Sequence, residues 1–149
     1  MDEFSSSVRV RTVSRDRAVI YARGHRFEAG APVHFDEQYE RVTALEYLLG
    51  AVGADIANGL QSLCRQRRVQ VDDIEVVVRG ELDNPLVYLG VVGEEGNPGL
   101  EALSVKAYVA SSEPEATVRL VWEEMLKRSP LVQTFRASVD LALEMNFIV

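Results

Sequence analysis

The pattern of apolar and polar positions near the start of the chain is typical of short β-strands. Residues 8–13 alternate apolar with polar or charged side chains, and residues 18–22 form an apolar run after a polar turn. Alternation predicts a strand with two different faces, so the two segments together predict a hairpin. Glycine and proline then punctuate a further short strand pair at residues 26–28 and 33–35. The first half of the chain is therefore predicted to be rich in β-structure.

A long helix is predicted at residues 44–65, where small and apolar side chains cover almost every side of a helical wheel. Thr43 followed by Glu46 is a capping-box pattern that marks its first turn. A helix of this composition is expected to be buried all round. Its three glycines lower helix propensity by up to about 1 kcal/mol each, a cost that indicates close packing of another helix or backbone. These glycines are Gly50, Gly53 and Gly59.

The second half of the chain predicts two more strands, a second helix and a last strand. β-Branched side chains at residues 69–71 and 74–82 indicate a long strand that ends in a turn. A glycine-rich loop leads from there to a strand at residues 103–110. A polar segment with a proline then opens a helix that ends near Lys127, and residues 137–149 are predicted as the final strand.

Length and charge limit the fold and the classes of partner. A chain of 149 residues fits one domain, residues 1–149, and the element order predicts an α+β fold with an antiparallel or mixed sheet. The formal net charge of −7 argues against nucleic acid and anionic membranes as partners, since both bind basic surfaces. No apolar stretch has the length of a membrane span, and the acidic, polar start differs from a signal peptide. We therefore expect a cytoplasmic protein.

Few residues can carry nucleophilic or metal chemistry. Cys64 is the only cysteine, so the chain can form neither an internal disulfide nor a cysteine-rich metal site. His25 and His34 lie outside any metal-binding pattern, and the sequence has no Gly-x-Ser-x-Gly nucleophile motif. We expect no bound metal and no cofactor.

Asp55 is the residue of greatest chemical interest because it interrupts the apolar helix. Burying a carboxylate without a partner costs on the order of several kcal/mol. Asp55 must therefore meet a cation, accept hydrogen bonds or keep its proton, and each of these arrangements suggests a pocket. An aspartate at a helix kink or rim, bound to water or backbone, fits the sequence equally well.

The element order and residues 48–55, Leu-Leu-Gly-Ala-Val-Gly-Ala-Asp, resemble the OsmC/Ohr family of osmotically induced and organic-hydroperoxide-resistance proteins. Family members carry Pro-x-Glu-Leu-Leu-Leu-Ala-Ala-Leu-Gly-x-Cys on a long central helix, a strand ending in Gly-x-Leu, and a second helix leading to Cys-Pro-Val. Glu46 matches the motif glutamate, and residues 80–82 match the end of the strand. Ser129 and Pro130 fall where Cys-Pro is expected. The resemblance covers nearly the whole chain.

The resemblance implies a stress-response hydroperoxide reductase, but both sulfur atoms of that chemistry are replaced here. In the family, one thiolate attacks the hydroperoxide and a second cysteine resolves the sulfenic acid as a disulfide. Asp55 stands at the first cysteine position and Ser129 at the second. Cys64 lies nine residues after Asp55, about 180° around the helix. We interpret Cys64 as a small core residue instead of a relocated nucleophile.

The resemblance also implies an intertwined homodimer with paired sites at its interface. We predict a homodimer without thiol peroxidase activity, in which Glu46, Asp55 and Ser129 line an inter-subunit pocket for a small, partly apolar ligand. A neutral Asp55 could donate a hydrogen bond to that ligand, whereas an ionised Asp55 could pair with an amine or an arginine. The alternatives are a peroxidase of the OsmC/Ohr type that uses Cys64, a non-redox enzyme with Asp55 as general acid or base beside Ser129, and a purely structural dimer.

Overall fold

The computed structural model describes residues 4–149, which form six strands and four helices. They group into two compact units, with the boundary inside the first helix after Leu48. Antiparallel strands and separate helices make an α+β protein, as predicted, while a single domain over residues 1–149 stays a prediction. None of the described helices is long and apolar enough to span a membrane. The elements in chain order are β1 (Arg9–Ser14), β2 (Arg17–Ala22), β3 (His25–Ala29), α1 (Ala44–Gln66), β4 (Asp73–Leu82), α2 (Pro85–Tyr88), β5 (Leu100–Ala110), α3 (Glu115–Arg128), α4 (Pro130–Arg136) and β6 (Asp140–Ile148).

The first unit, which ends at Leu48, is built on an antiparallel sheet in the order β1-β2-β3. The predicted hairpin is formed by β1 and β2, with Val10 opposite Ile20. β3 adds Phe27 opposite Ile20, and the Phe27 ring centroid lies 5.3 Å from that of Tyr47 at the start of α1. This apolar row is therefore on the face of the sheet that the first turn of α1 contacts.

The prediction of a strand at residues 33–35 is wrong, since these residues form a loop. The backbone groups on either side of them are used to close that loop. Gly30 N donates to Val42 O (2.8 Å), and Ala44 N donates to Ala31 O (3.1 Å). Both ends of the segment are thus tied to each other and to the start of α1, so of the predicted strand pair only β3 forms.

Helix α1 begins with the capping box that the sequence predicts. Thr43 N donates to Glu46 Oε1 (2.9 Å), and Glu46 N donates to Thr43 Oγ1 (3.1 Å). These bonds satisfy two amide groups that would otherwise lack partners at the start of the helix. The Glu46 carboxylate is thus engaged inside the first unit.

The second unit, which starts at Leu49, contains a mixed sheet in the order β4-β5-β6. β4 and β5 are antiparallel, whereas β5 and β6 are parallel. One face of this sheet shares a hydrophobic core with α1, α3 and α4, because alternate residues of each strand point to the same side. Members of that core include Val52, Ile56, Leu60, Val105, Ala107, Val118, Trp122 and Met145.

The prediction that α1 is buried all round is wrong for the single chain. Its buried residues recur every three or four positions and form one stripe. Away from that stripe, Gly50, Ala51 and Ala54 are exposed to solvent. These three exposed residues are small and not charged, so residue type alone does not distinguish this side of the helix from the buried one. The stripe consists of Val52, Ile56, Leu60, Leu63 and Cys64.

Two short helices, α2 and α4, are absent from the sequence prediction, which places a turn and loop at α2 and no element at α4. Asn84 caps α2 by accepting from Leu86 N (3.3 Å), and Ser129 caps α4 by accepting from Val132 N (3.1 Å). Each cap is followed by a proline in the first turn, which is a helix-start signal. The same prolines also fit the end of the preceding element. The last strand begins only at Asp140 because residues 137–139 form the turn after α4, where Ser138 N and Val139 N both donate to Phe135 O.

Candidate functional site

Ser129 connects α3 to α4 and is held in place by its backbone. The residue leaves the helical conformation (φ −70°, ψ 119°), while its N–H still donates to Met125 O (2.9 Å). Its hydroxyl oxygen accepts from Val132 N at the first turn of α4. Only 5% of the Ser129 surface is exposed. A buried hydroxyl needs a nearby acceptor for its proton.

Asp55 on α1 supplies that acceptor. The Ser129 hydroxyl donates to Asp55 Oδ2, across 74 positions of the chain. A carboxylate has about four acceptor sites, so further donors can still bind Asp55, which is half-buried. Asp55 and Ser129, which the sequence places in one site, are thus in direct contact.

A cavity of about 180 Å³ lies beside this pair. One wall is the side of α1 that contains Asp55, and the other comes from the junction of α3 and α4. Positions four, seven, eight and eleven residues after Asp55 return to the same side of a helix, so the first wall follows helical spacing from Asp55, a signal that the sequence analysis did not use. The second wall depends on how α3 packs. The lining residues are Asp55, Gly59, Ser62, Leu63 and Gln66 on α1, and Met125, Arg128, Ser129 and Pro130 at the junction.

The Asp55 carboxylate in this cavity forms no ion pair with a cation in residues 4–149. Arg128 lines the cavity, but its guanidinium pairs with Glu124 on α3 (3.0 Å). Glu124 also accepts from Arg67 Nε (3.3 Å). None of the ion pairs formed in this part of the chain includes Asp55. Of the partners considered for Asp55, the described structure supplies the Ser129 hydroxyl, and no arginine of residues 4–149 forms an ion pair with Asp55.

Cys64 is remote from this chemistry. It is buried in the hydrophobic core, and burial raises the pKa of its thiol above the usual value. A thiol with a raised pKa forms little thiolate at neutral pH and is a poor nucleophile. Among the residues that the structure describes, no group of three or more His, Cys, Asp or Glu side chains could hold a metal ion.

Glu46 lies in the first unit, where Thr43 N donates to its carboxylate. It lines a different cavity, of about 210 Å³, together with His34 and Tyr39. The His34 and Tyr39 rings stack with centroids 4.0 Å apart. A hydrogen bond from the Tyr39 hydroxyl to Asp16 raises the pKa of Tyr39 above its usual value. A place for Glu46 beside Asp55 and Ser129 stays a prediction.

Gly59 offers a test of how tightly the cavity wall packs. A Cβ atom at Gly59 would lie 3.5 Å from Met125 Cγ, an ordinary van der Waals distance. Because alanine favours a helix over glycine, Gly59→Ala is expected to raise the free energy of unfolding by roughly 0.5–1 kcal/mol in urea titrations. Gly96→Ala is the control and should be destabilising, because Gly96 has φ +123°. A loss of stability in Gly59→Ala would show that the wall has no room for a methyl group.

The fold and the site define the class of protein. The central helix carries Asp55 and the second long helix leads into Ser129, in an α+β chain with a mixed sheet. The family model for OsmC-like proteins matches residues 36–144, well over half of the sequence, and the chain belongs to this family. The resemblance stated from the sequence is therefore confirmed. No curated protein matches the chain.

Solved structures agree with this assignment. An OsmC-like protein from Mycoplasma pneumoniae has a TM-score of 0.79 and 14% identity, covering 99% of this chain and 98% of that one. For an organic hydroperoxide resistance protein from Elizabethkingia anophelis the TM-score is 0.71 at 10% identity, with 99% and 100% covered. A Vibrio cholerae protein assigned to organic hydroperoxide resistance has captopril bound in one of its active sites; its TM-score is 0.66 at 13% identity, with 97% and 96% covered. At such identities the similarity establishes the fold, and the predicted OsmC-like fold class is confirmed.

Proposed function

We propose that this OsmC-like protein has no thiol peroxidase activity and binds a small, partly apolar ligand in the cavity beside Asp55. The observation that carries the proposal is the hydrogen bond from Ser129 to Asp55. These two residues stand where the resemblance places the two cysteines of the family. A hydroxyl and a carboxylate can join the two helices by a hydrogen bond, but they form neither a sulfenic acid nor a disulfide.

The position of Cys64 supports the loss of peroxidase chemistry. Reduction of a hydroperoxide by a thiol needs a thiolate that reaches the O–O bond, and burial disfavours the thiolate form of Cys64. Cys64 belongs to the core stripe of α1, whereas Asp55 lines the cavity. The only sulfur of a cysteine in the chain is thus on the wrong side of the helix for this site.

Ligand binding is supported by the walls of the cavity. Leu63, Met125 and Pro130 provide apolar surface next to the polar pair Asp55 and Ser129. Small-molecule sites typically combine apolar walls with a few polar groups that orient the ligand. The captopril in one active site of the Vibrio cholerae protein is a precedent for a small molecule bound on this fold.

We also propose that the protein is a homodimer in which the exposed side of α1 faces a second copy. A groove of about 340 Å³ between α1 and β4 consists almost entirely of aliphatic side chains and glycine. Apolar surface of this kind is stabilised when a partner removes it from water. Small residues would let a second helix approach closely, and the family resemblance implies such a dimer. The groove is lined by Leu49, Gly50, Gly53, Ala54, Ala57, Val76 and Val78.

A coupled hydroperoxide-reduction assay tests the loss of peroxidase activity. With cumene or tert-butyl hydroperoxide and a dithiol reductant, we expect wild type and Cys64→Ser to show no turnover above the uncatalysed rate, because no accessible thiolate is present. Turnover that Cys64→Ser abolishes would identify a one-cysteine peroxidase. Turnover that persists in Cys64→Ser would require sulfur-independent chemistry and would equally contradict the proposal.

A non-redox enzyme is the second candidate, and the same hydrogen bond favours it. A serine hydroxyl that donates to a carboxylate is the arrangement of a nucleophile beside a general base. Against this role, Ser129 is buried and its oxygen also accepts from Val132 N, so a substrate has little access to it. Esterase activity lost in both Ser129→Ala and Asp55→Asn would support this candidate over a binding protein.

A further inference from the structure

We propose that the ligand of the Asp55 cavity is a short aliphatic amine, whose ammonium group binds the Asp55 carboxylate while its chain lies on the apolar wall. This inference rests on the proposed ligand-binding function and names its ligand class.

The free acceptor sites of the Asp55 carboxylate favour a cation over an anion. Asp55 lines the cavity, and its one hydrogen bond within residues 4–149 is from the Ser129 hydroxyl to Oδ2. The carboxylate therefore has acceptor sites to spare, and it forms no ion pair with Arg128 or with any other cation of the described residues. An ammonium group would add both a charge and a donor, and charge-assisted hydrogen bonds are roughly twice as strong as neutral ones. A carboxylic acid would instead place a second negative charge next to the first.

Arg128 does not reverse this preference. Its guanidinium lies 3.0 Å from Glu124, and Glu124 is also bonded to Arg67. The three side chains form a small network in which Arg128 already has an ion-pair partner, although two guanidinium groups share the Glu124 carboxylate. An anionic ligand would have to compete with Glu124 for Arg128 and to tolerate Asp55 as well. An amine needs no bond to Arg128, and its charge is opposite to that of Asp55.

The size and the polarity of the cavity favour a short aliphatic chain attached to the ammonium group. At about 180 Å³ the cavity is smaller than the roughly 300–1,000 Å³ of sites for drug-sized molecules. Leu63 and Met125 offer apolar contact to a chain of a few methylenes. An ammonium has three donors, and the Ser62 hydroxyl and Gln66 side-chain carbonyl on the same wall are acceptors for those that Asp55 does not take.

Three probes of equal length separate the possibilities: n-pentylamine, n-pentanol and n-pentanoate. By isothermal titration calorimetry at neutral pH, wild type is expected to bind pentylamine at least tenfold more tightly than pentanol, with pentanoate weakest. Asp55→Asn, which keeps the size of the side chain, should lose at least tenfold in pentylamine affinity and little in pentanol affinity. Asp140→Asn is the matched control. Asp140 is the exposed first residue of β6, and this variant should bind like wild type.

Methionine-methyl NMR is a second measurement, and it locates the bound probe in the wild-type protein. In protein labelled with ¹³C at the methionine methyl groups, pentylamine should shift the Met125 resonance, because Met125 lines the cavity. Met145 belongs to the core and is not among the residues that line the cavity, so its resonance should not shift. Shifts at neither methionine, despite calorimetric binding, would show that the amine binds elsewhere and would overturn the inference.

The outcomes distinguish this inference from the proposed function. Binding of pentanol or pentanoate as tight as that of pentylamine, with Met125 shifted, would overturn the amine preference and leave the ligand-binding function in place. Equal pentylamine affinity in wild type and folded Asp55→Asn would also overturn it. Absence of binding for all three probes would count against the ligand-binding function itself.

Discussion

Replacing Leu60 with alanine is expected to lower the free energy of unfolding by about 2–5 kcal/mol. Leu60 is 0% exposed and belongs to the core that α1 shares with α3 and the second sheet. The substitution removes buried apolar atoms and leaves a cavity that the helices and the sheet close only in part. Urea denaturation followed by circular dichroism measures the loss. The protein concentration must be equal for all variants, because dimerisation would add to apparent stability.

Leu120→Ala is the matched control for Leu60→Ala. Leu120 lies on α3 with 73% of its surface exposed, so the same change in chemistry removes little buried area. Its free energy of unfolding should stay within about 0.5 kcal/mol of wild type. Similar losses in the two variants would contradict the division of buried and exposed positions described above.

Ala54→Glu is expected to convert the proposed homodimer into a monomer. Ala54 is exposed in the single chain and lines the apolar groove between α1 and β4. In a two-fold symmetric interface each copy would bury one unpaired carboxylate, so the cost is incurred twice. An unpaired charge removed from water costs on the order of several kcal/mol, enough to weaken association by orders of magnitude. Sedimentation velocity at micromolar concentrations measures the change.

Ala116→Glu is the control for Ala54→Glu. Ala116 is also an exposed alanine on a helix, but it lies on α3 and outside the groove. This variant should sediment like wild type. A dimer in Ala54→Glu would show that association does not use this face of α1, and a monomeric wild type would contradict the homodimer itself.

The order of the long helices and strands could be predicted from the sequence because its signals are local. The bonds between Thr43 and Glu46 join residues three positions apart, and the alternation along β4 is visible within ten residues. Segments whose sequence fits two kinds of local structure were harder to predict. Asn84 and Ser129 each precede a proline, and that pattern fits the end of one element as well as the start of the next.

Burial around α1 was not predictable from residue type. Ala54 and Val52 are both apolar, but Ala54 is exposed and Val52 is 1% exposed. Small apolar residues are compatible both with a buried core and with a surface that a second chain covers. Only the packing of β4, β5 and α3 against one side of the helix decides which positions are removed from water in the single chain.

The sequence by itself determined the order of the long helices and strands, the absence of cysteine at the two positions expected for peroxidase chemistry, and the place of Asp55 on α1. These properties depend on residue identity and on helical spacing. Only the tertiary structure decided that Ser129 donates to Asp55, that Met125 forms the opposite wall of the cavity and that Glu124 forms an ion pair with Arg128. The contact between Asp55 and Ser129 joins residues 74 positions apart, and such contacts depend on which elements pack together, a choice made by the whole core and not by any local pattern.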